Sequence, residues 1–338
     1  HPAPRRPGST AVTTPALAVE DLVVRHRSAA GTVHAVEGIT FSVAEGETLG
    51  IVGESGCGKS TLARTLVGLR APDAGRVLFR GRDLADRRQR RRARPDLQMV
   101  FQDPAASLNP HRTVRSIIAE GRRVRSVRVD ADAHVDHLMR AVGLDPSVAD
   151  RRPHELSGGQ CQRVAIARSL LVEPAVLVCD EAVSALDVSV QAQILTTLAD
   201  VRAELGLTMV FVSHDLAVVR HISDRVLVMY LGTACEIAPS DRLFEAPAHP
   251  YTRGLIASAP DAPEHDAAHG DLAGEPPSPL EPPGGCVFHP RCPVATERCR
   301  VERPRPRTLA DGHEVACHHP LSIGAQAPPV PVTVGPRG

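Results

Sequence analysis

The chain has 338 residues, 42% of them hydrophobic, enough for one or two domains with a sizeable core. Its 39 Lys and Arg balance 39 Asp and Glu, so net charge points to neither nucleic acid nor an anionic membrane surface. Aromatic residues make up only 2%, with no tryptophan, which argues against base-stacking platforms and interfacial anchors; no run approaches the length of a membrane-spanning helix.

Taken in order, residues 1–15 are rich in Pro, Thr and Arg and are expected to be disordered. The opening His1-Pro2-Ala3-Pro4-Arg5-Arg6-Pro7 lacks the apolar stretch of a secretory signal and has no initiator methionine, so the native start is expected upstream. Residues 17–24 and 39–43 alternate as strands do, with a loop expected at 28–32. The apolar run Glu47-Thr48-Leu49-Gly50-Ile51-Val52 then leads into Gly53-Glu54-Ser55-Gly56-Cys57-Gly58-Lys59-Ser60-Thr61, followed by apolar residues at helical spacing. The pattern G-x-x-x-x-G-K-S between a strand and a helix is that of a phosphate-binding loop. Its glycines let several backbone N–H groups face one phosphate chain, and the helix N-terminus adds its positive dipole end. Lys59, the only lysine in the chain, is the expected ligand of the β- and γ-phosphates, and the Ser60 hydroxyl that of Mg²⁺. The motif implies binding of a nucleoside triphosphate.

A turn at 72–75 and a strand at 76–79 come next, then the arginine-rich run 87–94, read as a solvated loop because no aromatic residue interleaves it. A strand at 97–101 ends at Gln102, and the pattern turns helical from 113 to 143. Leu156-Ser157-Gly158-Gly159-Gln160 opens a further helix and is a second candidate phosphate-binding turn. The buried strand Ala175-Val176-Leu177-Val178-Cys179 runs straight into Asp180-Glu181, and Ser184-Ala185-Leu186-Asp187 precedes a helix reaching Leu205. A strand at 208–212 ends at Ser213-His214-Asp215, and two more follow at 225–230 and 233–238. Strands alternating with helices imply a parallel sheet. Beyond Pro260 the chain turns rich in Pro, Gly and Cys, the mark of an appended segment.

These ordered motifs resemble the ATP-binding subunits of ABC transporters over about residues 17–325. The resemblance implies an α/β fold: a P-loop ABC ATPase domain with a mixed sheet core, a helical signature subdomain and an antiparallel β-subdomain, plus a Cys/Pro-rich C-terminal extension. The boundaries expected are 1–15 for the N-terminus, 16–260 for the ATPase domain with its helical subdomain at 103–172, 261–325 for the extension and 326–338 for a disordered tail. Within it, Asp180 and Gln102 join Ser60 around Mg²⁺, an ion that prefers oxygen ligands. Glu181 is the general base that orients the attacking water, and His214 hydrogen-bonds the γ-phosphate and fixes that water. Ser157, Gly158, Gly159 and Gln160, with Asp187, are expected to act in trans on ATP held by a second ATPase subunit, in a homo- or heterodimer. Three departures stand out. His26 falls where an aromatic residue commonly stacks on adenine; Ala182-Val183 follows the acidic pair; and Cys57 lies inside the phosphate loop as a candidate site of thiol sensitivity.

A narrower resemblance, to di- and oligopeptide importer ATPases, rests on the segment from Val100 to Pro110, on the segment from Asp180 to Ser189, on His249-Pro250-Tyr251-Thr252-Arg253, and on the tail from Pro276 through Cys286, His289-Pro290-Arg291-Cys292-Pro293, Cys299 and Cys317, which is similar to that subfamily's C-terminal extension. It implies work at the cytoplasmic face of the plasma membrane with two integral-membrane permease subunits, a substrate-binding protein as indirect partner, and no nucleic acid. A nickel or other small-solute importer ATPase, and a soluble ABC ATPase without transport, are the alternatives. A nucleotide-hydrolysing motif also implies the cytosol, where thiols stay reduced. Of eight cysteines, Cys286, Cys292, Cys299 and Cys317 cluster late, spaced C-x₅-C-x₆-C-x₁₇-C. That spacing lacks the tight pairs of a structural zinc site and suits an iron–sulfur cluster better, with zinc and free thiols as alternatives. The resemblance points to a [4Fe-4S] cluster.

Overall fold

The structure, a computed structural model, describes residues 14–123, 131–184, 186–259, 272, 274–310 and 312–321. Residues 1–13, Ala185 and the tail at 326–338 lie outside the described residues. The strands are β1 (Leu17–Ser28), β2 (Gly31–Val43), β3 (Thr48–Val52), β4 (Ala74–Phe79) and β5 (Arg82–Asp83) in the first part of the chain. The second part carries β6 (Leu97–Val100), β7 (Val176–Asp180), β8 (Thr208–Val212), β9 (Arg225–Tyr230), β10 (Thr233–Pro239), β11 (Arg307–Ala310) and β12 (His313–Val315).

Two sheets result. One is antiparallel, in the order β2-β1-β4-β5. The other runs β11-β12-β10-β9-β3-β8-β7-β6, parallel from β9 to β6 and antiparallel from β9 outward through β10 and β12 to β11. The parallel strands are buried on both faces, which is why they read as continuous apolar runs. Their period of two divides one strand between two cores. Val176, Val178, Val210 and Val212 pack with the antiparallel sheet and the helix Lys59–Leu66, whereas Leu177, Cys179, Met209 and Phe211 pack with the helical layer. That layer contains the helices Val114–Ile118, Ala131–Ala141 and Gly158–Leu170.

Three local readings change. The loop expected at 28–32 is a tight turn, with Ser28 paired to Gly31 and Gly31 at φ 132°. The arginine run forms the helix Arg87–Ala93: Asp86 caps its N-terminus by accepting from the N–H groups of Arg88 and Gln89, and Ala93 is its buried anchor. Side chains in water do not prevent a backbone helix. The segment after Pro260, set apart by composition, joins the main sheet through β11 and β12 and packs Phe288 into the helical-side core.

Candidate nucleotide site

Four parallel strands end on one edge of the main sheet, and each releases a chemically distinct group there. β3 runs into the phosphate loop, β6 toward Gln102, β7 into Asp180 and Glu181, and β8 into Ser213 and His214. The loop's shape depends on glycine at two points. A Cβ on Gly53, at φ 155°, would meet the Met229 carbonyl oxygen at 2.1 Å, and one on Gly58, at φ 103°, would meet the Ala35 carbonyl oxygen at 1.9 Å. Both glycines therefore let the loop press against neighbouring backbone.

Inside the loop Lys59 is 4% exposed, and its Nζ donates to the carbonyls of Gly53 at 2.7 Å and Glu54 at 3.0 Å. The same Nζ lies 3.9 Å from Cys57 Sγ. Cys57 is buried, and burial pushes its thiol up against the opposing pull of Lys59. Ser60 Oγ donates to Asp180 Oδ1 at 2.9 Å. Burial raises the Asp180 carboxyl, with the Ser60 bond opposing. A desolvated carboxylate beside a hydroxyl fits a hard divalent cation, whose charge would relieve the burial cost.

Glu181 links two other expected residues. Its Oε2 accepts from Gln102 Nε2 at 2.7 Å, and its Oε1 lies 3.6 Å from His214 Nδ1. Glu181 has φ 48°, a left-handed conformation that a non-glycine residue adopts only where its surroundings hold it. The surroundings are its N–H donating to Val212 O at 2.9 Å and Ser184 Oγ donating to its carbonyl at 3.0 Å. His26 reaches the same edge from β1, with Nε2 3.1 Å from Thr61 Oγ1 at the start of the loop's helix.

The signature segment stands apart. Among the described residues no hydrogen bond joins it to the phosphate loop. Ser157 caps the helix Gly158–Leu170 reciprocally with Gln160: Ser157 Oγ accepts from Gln160 N, and Gln160 Oε1 from Ser157 N. Gly159 packs on the helix that Asp187 caps, since a Cβ there would lie 2.8 Å from Val190 Cγ1. Arg163 fastens the two helices by donating to Gln193 Oε1 at 2.7 Å. The signature turn and Asp187 thus form one unit, distinct from the edge carrying Lys59 and Glu181. Arg168 of the signature helix also donates to Ser107 O at 2.7 Å, tying that unit to the segment after Gln102.

The tail thiols are drawn together without forming a ready metal site. Burial, with repulsion from neighbouring thiols, pushes Cys292 and Cys317 up to about 11, and Cys286 is raised in the same way. Among the described residues no group of three or more His, Cys, Asp or Glu is arranged to hold a metal ion. The iron–sulfur expectation for Cys286, Cys292, Cys299 and Cys317 therefore finds no support in the geometry: the thiols as placed are free.

Sequence reading missed the tail's contact with the loop. Arg291 donates two hydrogen bonds to the Glu54 carboxylate, and Tyr251 OH accepts from the Glu54 N–H. The signals available were the segments His249-Pro250-Tyr251-Thr252-Arg253 and His289-Pro290-Arg291-Cys292-Pro293, neither of which carried visible chemistry toward the loop.

Comparison with known proteins agrees with this architecture. Residues 36–184 match the family model described as ABC transporter, and residues 235–299 match the oligopeptide/dipeptide transporter C-terminal region. The oligopeptide transport ATP-binding protein AppF of Bacillus subtilis is 49% identical over 296 residues, covering 85% of this chain and 90% of AppF. OppF of Salmonella typhimurium is 50% identical over 298 residues, covering 85% and 88%. Among solved structures, the dimeric post-hydrolysis state of the ATP-binding cassette MJ0796 bound to ADP and Pi superposes with TM-score 0.61 at 26% identity, over 66% of this chain and 98% of that one.

Proposed function

This chain belongs to the ATP-binding subunits of ABC transporters, and from that premise we propose that it hydrolyses ATP to drive import of di- and oligopeptides. The observation that carries the reading is the convergence of Lys59, the Ser60–Asp180 bond and the Gln102–Glu181–His214 chain on one sheet edge. The peptide branch is favoured over nickel transport or a soluble ATPase because the relatives named for oligopeptide transport extend through the C-terminal region.

The residues act in the following roles. The phosphate loop binds the triphosphate, with Lys59 turning from its own carbonyls to the β- and γ-oxygens. Ser60, Asp180 and Gln102 would hold Mg²⁺, which when bound neutralises charge on the phosphates. Glu181 takes up the proton side of the attacking water, and His214 orients it. His26 lies against the adenine. The subunit works in a pair with a second ATP-binding subunit, whose signature turn closes on the γ-phosphate, and the pair acts from the cytoplasmic side on two permease subunits. We read residues 16–260 as the ATPase domain and 261–325 as the extension. For the four tail thiols we propose a metal centre that forms on loading, preferably iron–sulfur, supported by their spacing along the chain. An anaerobic absorption spectrum with iron and zinc analysis tests it; metal-free protein ends it.

The function is tested by reconstituting the chain with its permease partners in vesicles. Peptide uptake that requires ATP hydrolysis is expected. Hydrolysis that drives nickel but not peptide, or drives no transport, would overturn the assignment.

A further inference from the structure

We propose that Arg291, carried on the C-terminal extension, is a positioning residue for the phosphate loop. It lies 237 positions along the chain from Glu54, yet its guanidinium makes a two-pronged pair with that carboxylate: Nη1 to Oε2 at 2.8 Å and Nη2 to Oε1 at 3.0 Å. The side chain is only 6% exposed, and Nη1 also donates to Tyr230 OH at 3.3 Å. A forked Arg–carboxylate pair fixes direction as well as distance, which a lysine could not do.

All three kinds of polar group on Glu54 are thereby assigned. Its carboxylate faces Arg291, its N–H donates to Tyr251 OH at 3.0 Å, and its carbonyl accepts from Lys59 Nζ at 3.0 Å. Tyr230, Tyr251 and Phe288 are fully buried, with ring centroids 4.7 to 5.3 Å apart, so the groups that grip Glu54 stand on a packed base. Arg291, Tyr230, Tyr251 and Phe288 are not among the residues assigned to phosphate or water.

The need for such a grip follows from the loop's own composition. Gly53, Gly56 and Gly58 all have positive φ, and glycine has the most backbone freedom to lose on ordering. In the structure Lys59 braces the loop by bridging the carbonyls of Gly53 and Glu54. When Lys59 turns to the phosphates, that brace is given up at the moment the loop must hold its shape. The bonds from Arg291 and Tyr251 do not involve Lys59 and persist. The extension thus preorganises the loop for ATP, lowering the ordering cost of binding.

The inference rests on the ATPase reading, and the test separates the two. In the full transporter complex, ATP affinity is measured calorimetrically and turnover independently for Arg291→Gln, Glu54→Gln, the double variant and Arg291→Lys. Arg291→Gln is expected to weaken ATP binding about five- to tenfold and raise KM in step, with kcat within about twofold. The double variant should be no worse than the poorer single one, because both remove the same pair. Arg291→Lys, which keeps charge without the fork, should recover only part of the loss. Unchanged ATP affinity in Arg291→Gln, or effects that multiply in the double variant, would overturn the proposal. If Arg291→Gln does not fold, Glu54→Gln still decides, since it leaves the extension intact; normal ATP affinity there overturns it too. A complex that binds ATP with this pattern but never hydrolyses it would sink the ATPase reading and leave the positioning role standing.

Discussion

The nucleotide edge and the C-terminal extension both gather residues from distant parts of the chain, but by different means. At the edge the work is done by backbone register: β3, β6, β7 and β8 lie side by side and parallel, so residues that follow each strand must emerge together. In the extension individual side chains do it. Arg291 reaches Glu54, Phe288 packs on Tyr230 and Tyr251, and buried His313 meets buried Glu236 at 2.6 Å. Register survives loss of one side chain, whereas a docking built from a few buried groups does not. Substitutions at the edge should therefore damage chemistry and leave the fold, and those in the junction should do the reverse.

The largest effect is expected from Glu181→Gln. The amide keeps the hydrogen-bonding shape toward Gln102 but cannot take up a proton. Steady turnover should fall roughly 10²- to 10⁴-fold while ATP binding and the melting temperature stay close to wild type. Retained turnover would remove Glu181 as the base and blur the contrast between the two regions. Next comes Glu236→Ala. The Glu236 carboxylate accepts from the N–H groups of Ala248 and His249, at 2.7 and 2.8 Å, as well as from His313. Removing it orphans three buried donors, and a loss of about 3–5 kcal/mol is expected, on the scale of a broken buried pair. Limited proteolysis should then release the region around β11 and β12 first. Uniform unfolding instead would mean that the extension is not a separately weakened element.

This contrast also explains what could be read from sequence. The phosphate loop, the acidic pair and His214 sit directly after apolar runs, so strand ends and chemistry coincide in the text of the chain. Asp187 and Ser157 are legible as helix caps for a similar local reason. The grip of Arg291 on Glu54 has no local signature, since an arginine between a proline and a cysteine looks like any other of this arginine-rich chain. Nor does Pro- and Cys-rich composition betray β11 and β12, which are only four and three residues long and owe their place to β10. The arginine helix at 87–93 was hidden because its helical signals are a single capping Asp86 and a single buried Ala93.

Acid should weaken the junction. His249 is buried, and burial lowers its imidazole from 6.5 to about 4, against the attraction of Glu236. Neutral, its Nδ1 accepts the Tyr251 N–H at 3.0 Å and caps the helix Pro250–Ala257. A protonated ring could not accept that bond. Between pH 6.5 and about 4 the unfolded chain therefore binds a proton that the folded chain resists, so stability is intact above 6.5 and declines as pH falls toward 4. The decline amounts to roughly 3 kcal/mol at its limit, the low end of the loss expected for Glu236→Ala. Melting temperatures measured across this range should show the slope, and His249→Asn, a cap without a titrating ring, should flatten it. Because Tyr251 OH holds the Glu54 N–H, ATP affinity in the wild type should weaken along with the melting temperature. A slope unchanged in His249→Asn would place the acid-sensitive group elsewhere and leave the junction no weaker than the edge.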